Sequence, residues 1–253
     1  MTWDDMAASL ALADLHDEAV FARACREQAI LVFVEGESEE VALPLLFTDI
    51  LDLGTTGVKI ANYNGHGNLR SALRLLRRTL EIDRPIIVTH DNDPDSVASV
   101  QRCKKQGLLG GSTYLFPIPQ RPVVTYPTGY VGGSFEESFS VEIFLDCAFE
   151  EGLLPTSIMA SRADFETGFD VSKPWFDQLR EYTATSGFIE WSLCKPKFAE
   201  RLALASDDLP PTFSRLVDTI LEVRRKHPVI HPHDVELPKV YGLTFFPEGA
   251  EDT

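Results

Sequence analysis

The chain has 253 residues with an apolar fraction of 44%, enough to bury a full core as one large domain or as a core domain with a helical extension. A formal net charge of −16 argues against a generic nucleic-acid binder that neutralises phosphates with surplus Lys and Arg. No apolar run approaches the roughly 20 residues that span a bilayer, no secretory leader is visible, and Cys25, Cys103, Cys147 and Cys194 form neither a zinc knuckle nor a disulfide framework, so a reducing cytoplasm fits best.

Residues 7–28 carry apolar side chains (Leu10, Ala13, Val20, Ala24) at three- and four-residue intervals among charges, which predicts an amphipathic helix. Short β-branched or aromatic runs follow at 30–34, 57–61, 85–89 and 113–116, with helical patterns between them at 38–51, 67–81 and 95–106. Such alternation predicts an α/β fold, a mainly parallel four-stranded sheet flanked by helices, because parallel neighbours need crossover connections. Pro44 interrupts the first crossover helix, which is expected to start later or bend there. After the Pro-rich stretch 116–127 the pattern turns helical, at 134–151, 173–183, 195–206 and 211–226, and the prolines at 228 and 232 end it. The expected organisation is an N-terminal helix (1–29), an α/β core (30–130) and a mainly helical C-terminal part (131–253). The charge is uneven: residues 61–130 hold nine Lys/Arg against five Asp/Glu, and residues 1–60 three against twelve. Arg70, Arg74, Arg77 and Arg78 recur at helical spacing, read either as a solvated face or as a phosphate or partner contact.

Two acidic clusters close apolar strands. Ile30–Val34 runs into Glu35-Gly-Glu-Ser-Glu39, and Pro85–Thr89 into His90-Asp-Asn-Asp-Pro-Asp95. In open α/β sheets, sites collect at the carboxyl ends of strands. A carboxylate followed by Gly36 lets the chain turn sharply while Glu35 points into the crevice, Glu39 lies one helical turn on, and Asp91 and Asp93 share one side of an extended backbone. Crowded carboxylates repel one another, so a hard divalent cation between them makes physical sense, and a pair of such ions is a common device for phosphoryl transfer. The plainer alternative is that Ser38, Asp93 and Asp95 only cap helices.

At these residues the chain resembles the Toprim domain, and more narrowly the Toprim module of the overcoming-lysogenization-defect (OLD) family nucleases. Val34-Glu-Gly-Glu-Ser-Glu39, Tyr63-Asn-Gly-His-Gly-Asn-Leu69 and Val88-Thr-His-Asp-Asn-Asp-Pro-Asp95 are similar to that family's first three motifs. Ser134-Phe-Glu-Glu-Ser-Phe139 looks like its later acidic motif and Lys195-Pro-Lys-Phe-Ala199 like its lysine motif. The resemblance implies two Mg²⁺ or Mn²⁺ ions held by Glu35, Glu39, Asp91, Asp93 and Glu136 or Glu137, with Lys195 (or Lys197) countering negative charge. It implies a metal-dependent endonuclease cutting DNA or RNA, with Glu35, Asp91, Asp93 and Lys195 as its catalytic residues. Full-length OLD proteins carry an ATPase domain, whereas Gly54-Thr-Thr-Gly-Val-Lys59 has the wrong spacing for a P-loop. An ATPase partner in trans, in an antiviral defence setting, is the resulting expectation, with no membrane association and with oligomerisation left open. The rivals are a nucleotidyl transferase or primase-like enzyme and a non-catalytic regulatory subunit of an ATPase complex.

Other candidates read as structural. His227, His231 and His233 suit loop packing better than zinc, and a satisfied structural histidine is the favoured reading of His66 and His90. Trp175, Phe176, Trp191 and Phe198 are spaced like core aromatics. A serine-hydrolase elbow is absent from the sequence.

Overall fold

A computed structural model describes residues 17–79, 84–155, 160–188 and 190–230. Residues 7–16 of the expected first helix, residues 80–81 of the expected 67–81 helix, and His231 and His233 lie outside the described residues. The remainder of the first helix, α1, runs over 17–27.

Strands β1 (Ile30–Val34), β2 (Val58–Asn62), β3 (Ile86–Asp91) and β4 (Thr113–Ile118) form one parallel sheet in the order β2-β1-β3-β4. Period-two alternation sends Ile30, Val32 and Val34 into one apolar cluster, while Leu31 and Phe33 join a second on the opposite face. The second cluster is capped by α4 (Leu69–Thr79) and α5 (Pro94–Lys105), through Leu69, Leu73, Val100 and Cys103. The first is covered by α2 (Glu37–Phe47) and by the C-terminal helices, so residues before and after 131 share one core. A one-turn helix α3 (Leu53–Thr56) leads into β2 through Gly57, whose φ of 65° and close approach to the Cys25 carbonyl suit glycine alone.

The chain goes from β1 outward to β2, then returns to place β3 on the other side of β1. The crevice between the carboxyl ends of β1 and β3 is therefore the topological switch point of the sheet. Glu35 follows β1 and Asp91 ends β3, on neighbouring strands.

Helix α2 begins at Glu37 with Gly36 as its N-cap and runs through Pro44, rather than starting later. Buried Ala42, Leu43, Leu46 and Phe47 hold the turn on either side of the proline, offsetting a missing backbone bond. Downstream, the expected 134–151 helix is a 3₁₀ turn at Glu136–Ser138, a break, and α6 (Val141–Ala148), where the Ser140 hydroxyl accepts from the Ile143 amide at 3.2 Å. Three helices follow near their expected places: α8 (Trp175–Thr185), α9 (Trp191–Leu204) and α10 (Pro211–Lys226), and α7 (Arg162–Gly168) is an additional one. A two-residue hairpin, β5 (Val124–Thr125) with β6 (Val131–Gly132), was not foreseen either. Among the described residues no helix is long and apolar enough to cross a membrane.

Candidate functional site

The site is assembled at the switch point by backbone contacts. The Asp91 amide donates to Glu35 Oε2 at 3.1 Å and the His66 amide to Glu35 Oε1 at 3.1 Å, so the end of β3 and the turn after β2 both close on the first carboxylate. Ser96 Oγ lies 3.0 Å from both Glu35 oxygens and 3.1 Å from Asp93 Oδ2, bridging the two clusters. Asp93 also caps α5, accepting from the Ser96 amide at 2.7 Å. The capping alternative is thus true of Asp93 and coexists with its place in the cavity wall. Asn92 turns the other way, accepting from the Tyr130 hydroxyl at 2.8 Å, which leaves its two flanking aspartates on the site side.

The β5–β6 hairpin brings the second acidic segment. Gly133 donates to the Asn92 carbonyl at 2.9 Å, and a Cβ at Gly132 would fall 1.8 Å from that same oxygen. Only glycine permits so close a crossing. The next residues then reach the end of β3, where the Phe135 amide donates to Asp91 Oδ1 at 3.1 Å. The following 3₁₀ turn separates two adjacent glutamates. Glu136 faces the cavity, 3.4 Å from Lys195 Nζ and 2.8 Å from Ser134 Oγ. Glu137 faces inward and accepts from the Trp175 amide at 2.7 Å and the Ser134 amide at 2.6 Å, tying the start of α8 to the turn. Lys195 lies 4.8 Å from the centre of the Phe176 ring, whereas Lys197 reaches outward to the Gly152 carbonyl at 3.0 Å.

A cavity of about 430 Å³ opens above these groups, with Asp91, Asp93, Glu136, Lys195, Arg180 and Tyr126 among its lining residues. Glu39, on the first turn of α2, is buried beside it and accepts from the Gly36 amide at 3.2 Å. Burial raises the Glu39 pKa to about 7, with the charges of Glu35 and Glu136 adding to the shift and Lys195 opposing it. Burial also holds Asp91 well above the usual carboxylate range, reinforced by Glu35 and Glu39. Lys195 is raised, chiefly by Glu136, and stays an ammonium. His90 is buried, its Nδ1 2.9 Å from the Asp91 carbonyl, and burial lowers its pKa so that it remains neutral.

Among the described residues, no three His, Cys, Asp or Glu side chains are grouped tightly enough to enclose an ion as they stand. The chemistry of the donors nevertheless fits a hard divalent cation. They are carboxylates, and in two of them burial, reinforced by the neighbouring carboxylate charges and only partly opposed by Lys195, disfavours the ionised form that a divalent cation would stabilise. Of the ligand and lysine candidates singled out in the sequence, Asp91, Asp93, Glu136 and Lys195 line the cavity, Glu35 is bound to the Asp91 amide without lining it, Glu39 is buried against the Gly36 amide, and Glu137 and Lys197 are turned to other partners. Sequence reasoning missed Ser96, Ser134, Tyr126 and Arg180. Ser96 carried a signal, being the third residue after a capping aspartate, and Ser134 stood in the sequence only as the first residue of the later acidic motif. Of the four aromatics read as core, Phe176 and Trp191 also line the cavity.

Residues 29–93 match a family model described as overcoming lysogenization defect protein-like, TOPRIM domain. Among solved structures the chain is similar to the C-terminal region of the Burkholderia pseudomallei OLD protein, at TM-score 0.47 and 18% identity over 76% of this chain and 96% of that one. It is also similar to the C-terminal region of the Xanthomonas campestris pv. campestris OLD protein, at TM-score 0.41 and 16% identity over 78% of this chain and 96% of that one. A curated protein named glutamine synthetase, from Hordeum vulgare, is 30% identical over 157 residues, which are 60% of this chain and 40% of that protein. The chain thus spans about two fifths of the length of the curated relative it matches.

Proposed function

We propose that this chain, whose residues 29–93 form an OLD-like Toprim domain, is a Mg²⁺- or Mn²⁺-dependent nuclease that hydrolyses phosphodiester bonds. The observation that carries the reading is that Asp91 and Asp93 at the end of β3 and Glu136 on the 3₁₀ turn line one cavity, with Glu35, after β1, bound to the Asp91 amide and the Lys195 ammonium beside Glu136. In this reading Glu35, Glu39, Asp91, Asp93 and Glu136 hold two ions, and Glu137 is left to its structural bond with α8. Bound divalent ions would acidify an attacking water and neutralise the phosphate.

The protein's own groups do the rest. Ser96 fixes Glu35 against Asp93, and the Phe135 amide fixes one oxygen of Asp91, so the acceptor positions are set before substrate arrives. Lys195, kept protonated and held by Glu136, offers N–H donors to the negative charge that grows on the phosphoryl oxygens. The Phe176 ring beneath it shields that charge from water on one side. An ATPase partner acting in trans, in antiviral defence, belongs to the same proposal.

The test is cleavage of plasmid, single-stranded DNA and transfer RNA by the purified chain with Mg²⁺ or Mn²⁺, with and without the neighbouring gene's product and ATP. Metal-dependent cutting that Asp91→Ala abolishes supports the reading. Extension of a primed template in place of cutting would transfer the site to nucleotidyl transfer. Neither activity, alone or with the partner, would leave a regulatory subunit.

A further inference from the structure

A second cavity, of about 450 Å³, lies beside the first, and the two share Tyr126, Pro174 and Asp177 as a common wall. A polymer leaving the carboxylate cavity in that direction passes these three residues and enters the second. The chemistry changes across the wall. On the near side stand Lys195 and Arg180, the latter 2.9 Å from Asp177 through Nη2. On the far side the charged residues are Asp177, Glu181 and Lys173, and the Lys173 ammonium is paired with Asp170 at 3.2 Å. Two carboxylates and one committed cation make a poor seat for phosphate.

They suit a flat, uncharged group that carries N–H donors. Tyr126, Pro127 and Pro174 supply rings. The Gln178 amide is consumed by the backbone of the α7–α8 loop, donating to the Asp170 and Lys173 carbonyls at 2.9 and 3.1 Å and accepting from the Asp170 amide at 2.9 Å, so its hydrocarbon is what remains for the cavity. Glu181, one turn after Asp177 on α8, supplies an acceptor at the rim.

We propose that this second cavity seats the base of an unpaired nucleotide next to the phosphodiester held in the first, so that the substrate is single-stranded or locally unpaired. The proposal rests on the hydrolase reading and adds the substrate's form to it. A base inside a duplex has both faces stacked and its edge paired, and cannot enter a walled pocket until it is extruded. Tyr126 provides the stacking face, Arg180 stands over the neighbouring phosphate, and Glu181 accepts from ring or exocyclic N–H groups.

The experiment is fluorescence anisotropy of the full chain, in calcium chloride at low salt, with three labelled probes: a short single strand of mixed sequence, its blunt duplex, and the same strand made wholly abasic. The single strand is expected to bind about 5- to 150-fold tighter than the abasic strand, the span of one base stacked on an aromatic side chain. It should also bind tighter than the duplex. Tyr126→Ala should bind the intact strand as weakly as the native chain binds the abasic one, with no further loss on the abasic strand, and Tyr126→Phe should keep the preference. Thr125→Trp, which fills the cavity from an exposed position, should remove the preference without touching the core. Equal binding of single strand and duplex, equal binding of intact and abasic strands, or binding of no probe would overturn the proposal. Cleavage with Mn²⁺ separates it from the reading beneath it. A base-dependent binding preference without cleavage sinks the hydrolase and leaves the subsite, whereas cleavage indifferent to base pairing and to Tyr126 does the reverse.

Discussion

Replacing Glu39 by Gln should stabilise the metal-free protein at alkaline pH while removing a carboxylate from the site. In the folded chain the Glu39 carboxyl titrates at about 7, against 4.5 for an ordinary glutamate. That difference corresponds to about 3 kcal/mol favouring the neutral form in the folded state. Below pH 4.5 both states are protonated and the group contributes nothing. Between 4.5 and 7 the unfolded chain ionises first, so stability falls as pH rises, and above 7 the full penalty is present. Gln carries no such penalty, and its amide oxygen can still accept from the Gly36 amide at the start of α2. Losing the favourable interaction of a carboxylate with that helix N-terminus costs about 0.3–1 kcal/mol. The net expectation is that Glu39→Gln gains about 2 kcal/mol at pH 8 and nothing at pH 4.5, measured by urea unfolding in EDTA with linear extrapolation. A variant less stable than the native chain at pH 8, or one displaced equally at both pH values, would refute the electrostatic account.

Asp91→Ala should abolish metal-dependent cleavage and leave the far-ultraviolet circular dichroism unchanged, because losing the acceptor of the Phe135 amide is offset by removing a carboxylate whose burial disfavours its charge. Lys195→Ala should lower the cleavage rate with little effect on metal affinity, while Lys197→Ala, bound outward to Gly152, should change neither; the reverse pattern would move the lysine role by two positions. Glu137→Ala should destabilise by about 2–4 kcal/mol in the same unfolding assay, because it strands the buried Trp175 amide and the Ser134 amide together. Gly132→Ala should cost about 3 kcal/mol or more, since its Cβ would overlap the Asn92 carbonyl, and a native-like unfolding midpoint would show that the hairpin does not cross β3 as described.

The central strands β1 and β3 were readable because parallel strands covered on both faces appear as short continuous apolar runs, and the half-exposed edge strands β2 and β4 still lie within a few residues of their expected places. The first two acidic clusters were readable for the same reason: they follow strands whose ends the pattern already located. The C-terminal part was less so. Pro196 looks like the opening of a helix, yet α9 starts at Trp191, because the buried Trp191 side chain packs on Phe176 and Phe188 and outweighs one lost backbone bond. Strands of two residues have no alternation to read, so β5 and β6 were invisible, although they deliver the third acidic segment. Glu136 and Glu137 are chemically identical neighbours. Only the direction of the turn that carries them decides which meets Lys195 and which meets the α8 backbone.

That hidden geometry also explains how so acidic a chain tolerates its own site. The carboxylates are held in place mainly by neutral donors: the amides of Asp91 and His66 and the Ser96 hydroxyl on Glu35, the Gly36 amide on Glu39, the Phe135 amide on Asp91, and the Ser96 amide on Asp93. Amides at helix starts and strand ends fix position without cancelling a full charge. Side-chain cations paired one to one with these groups would have relieved their repulsion, and would also have filled the acceptor positions that a divalent ion needs. Held by backbone, the oxygens keep both their places and their unspent repulsion, so the free energy lost on folding at this crevice is available to whatever positive charge enters it.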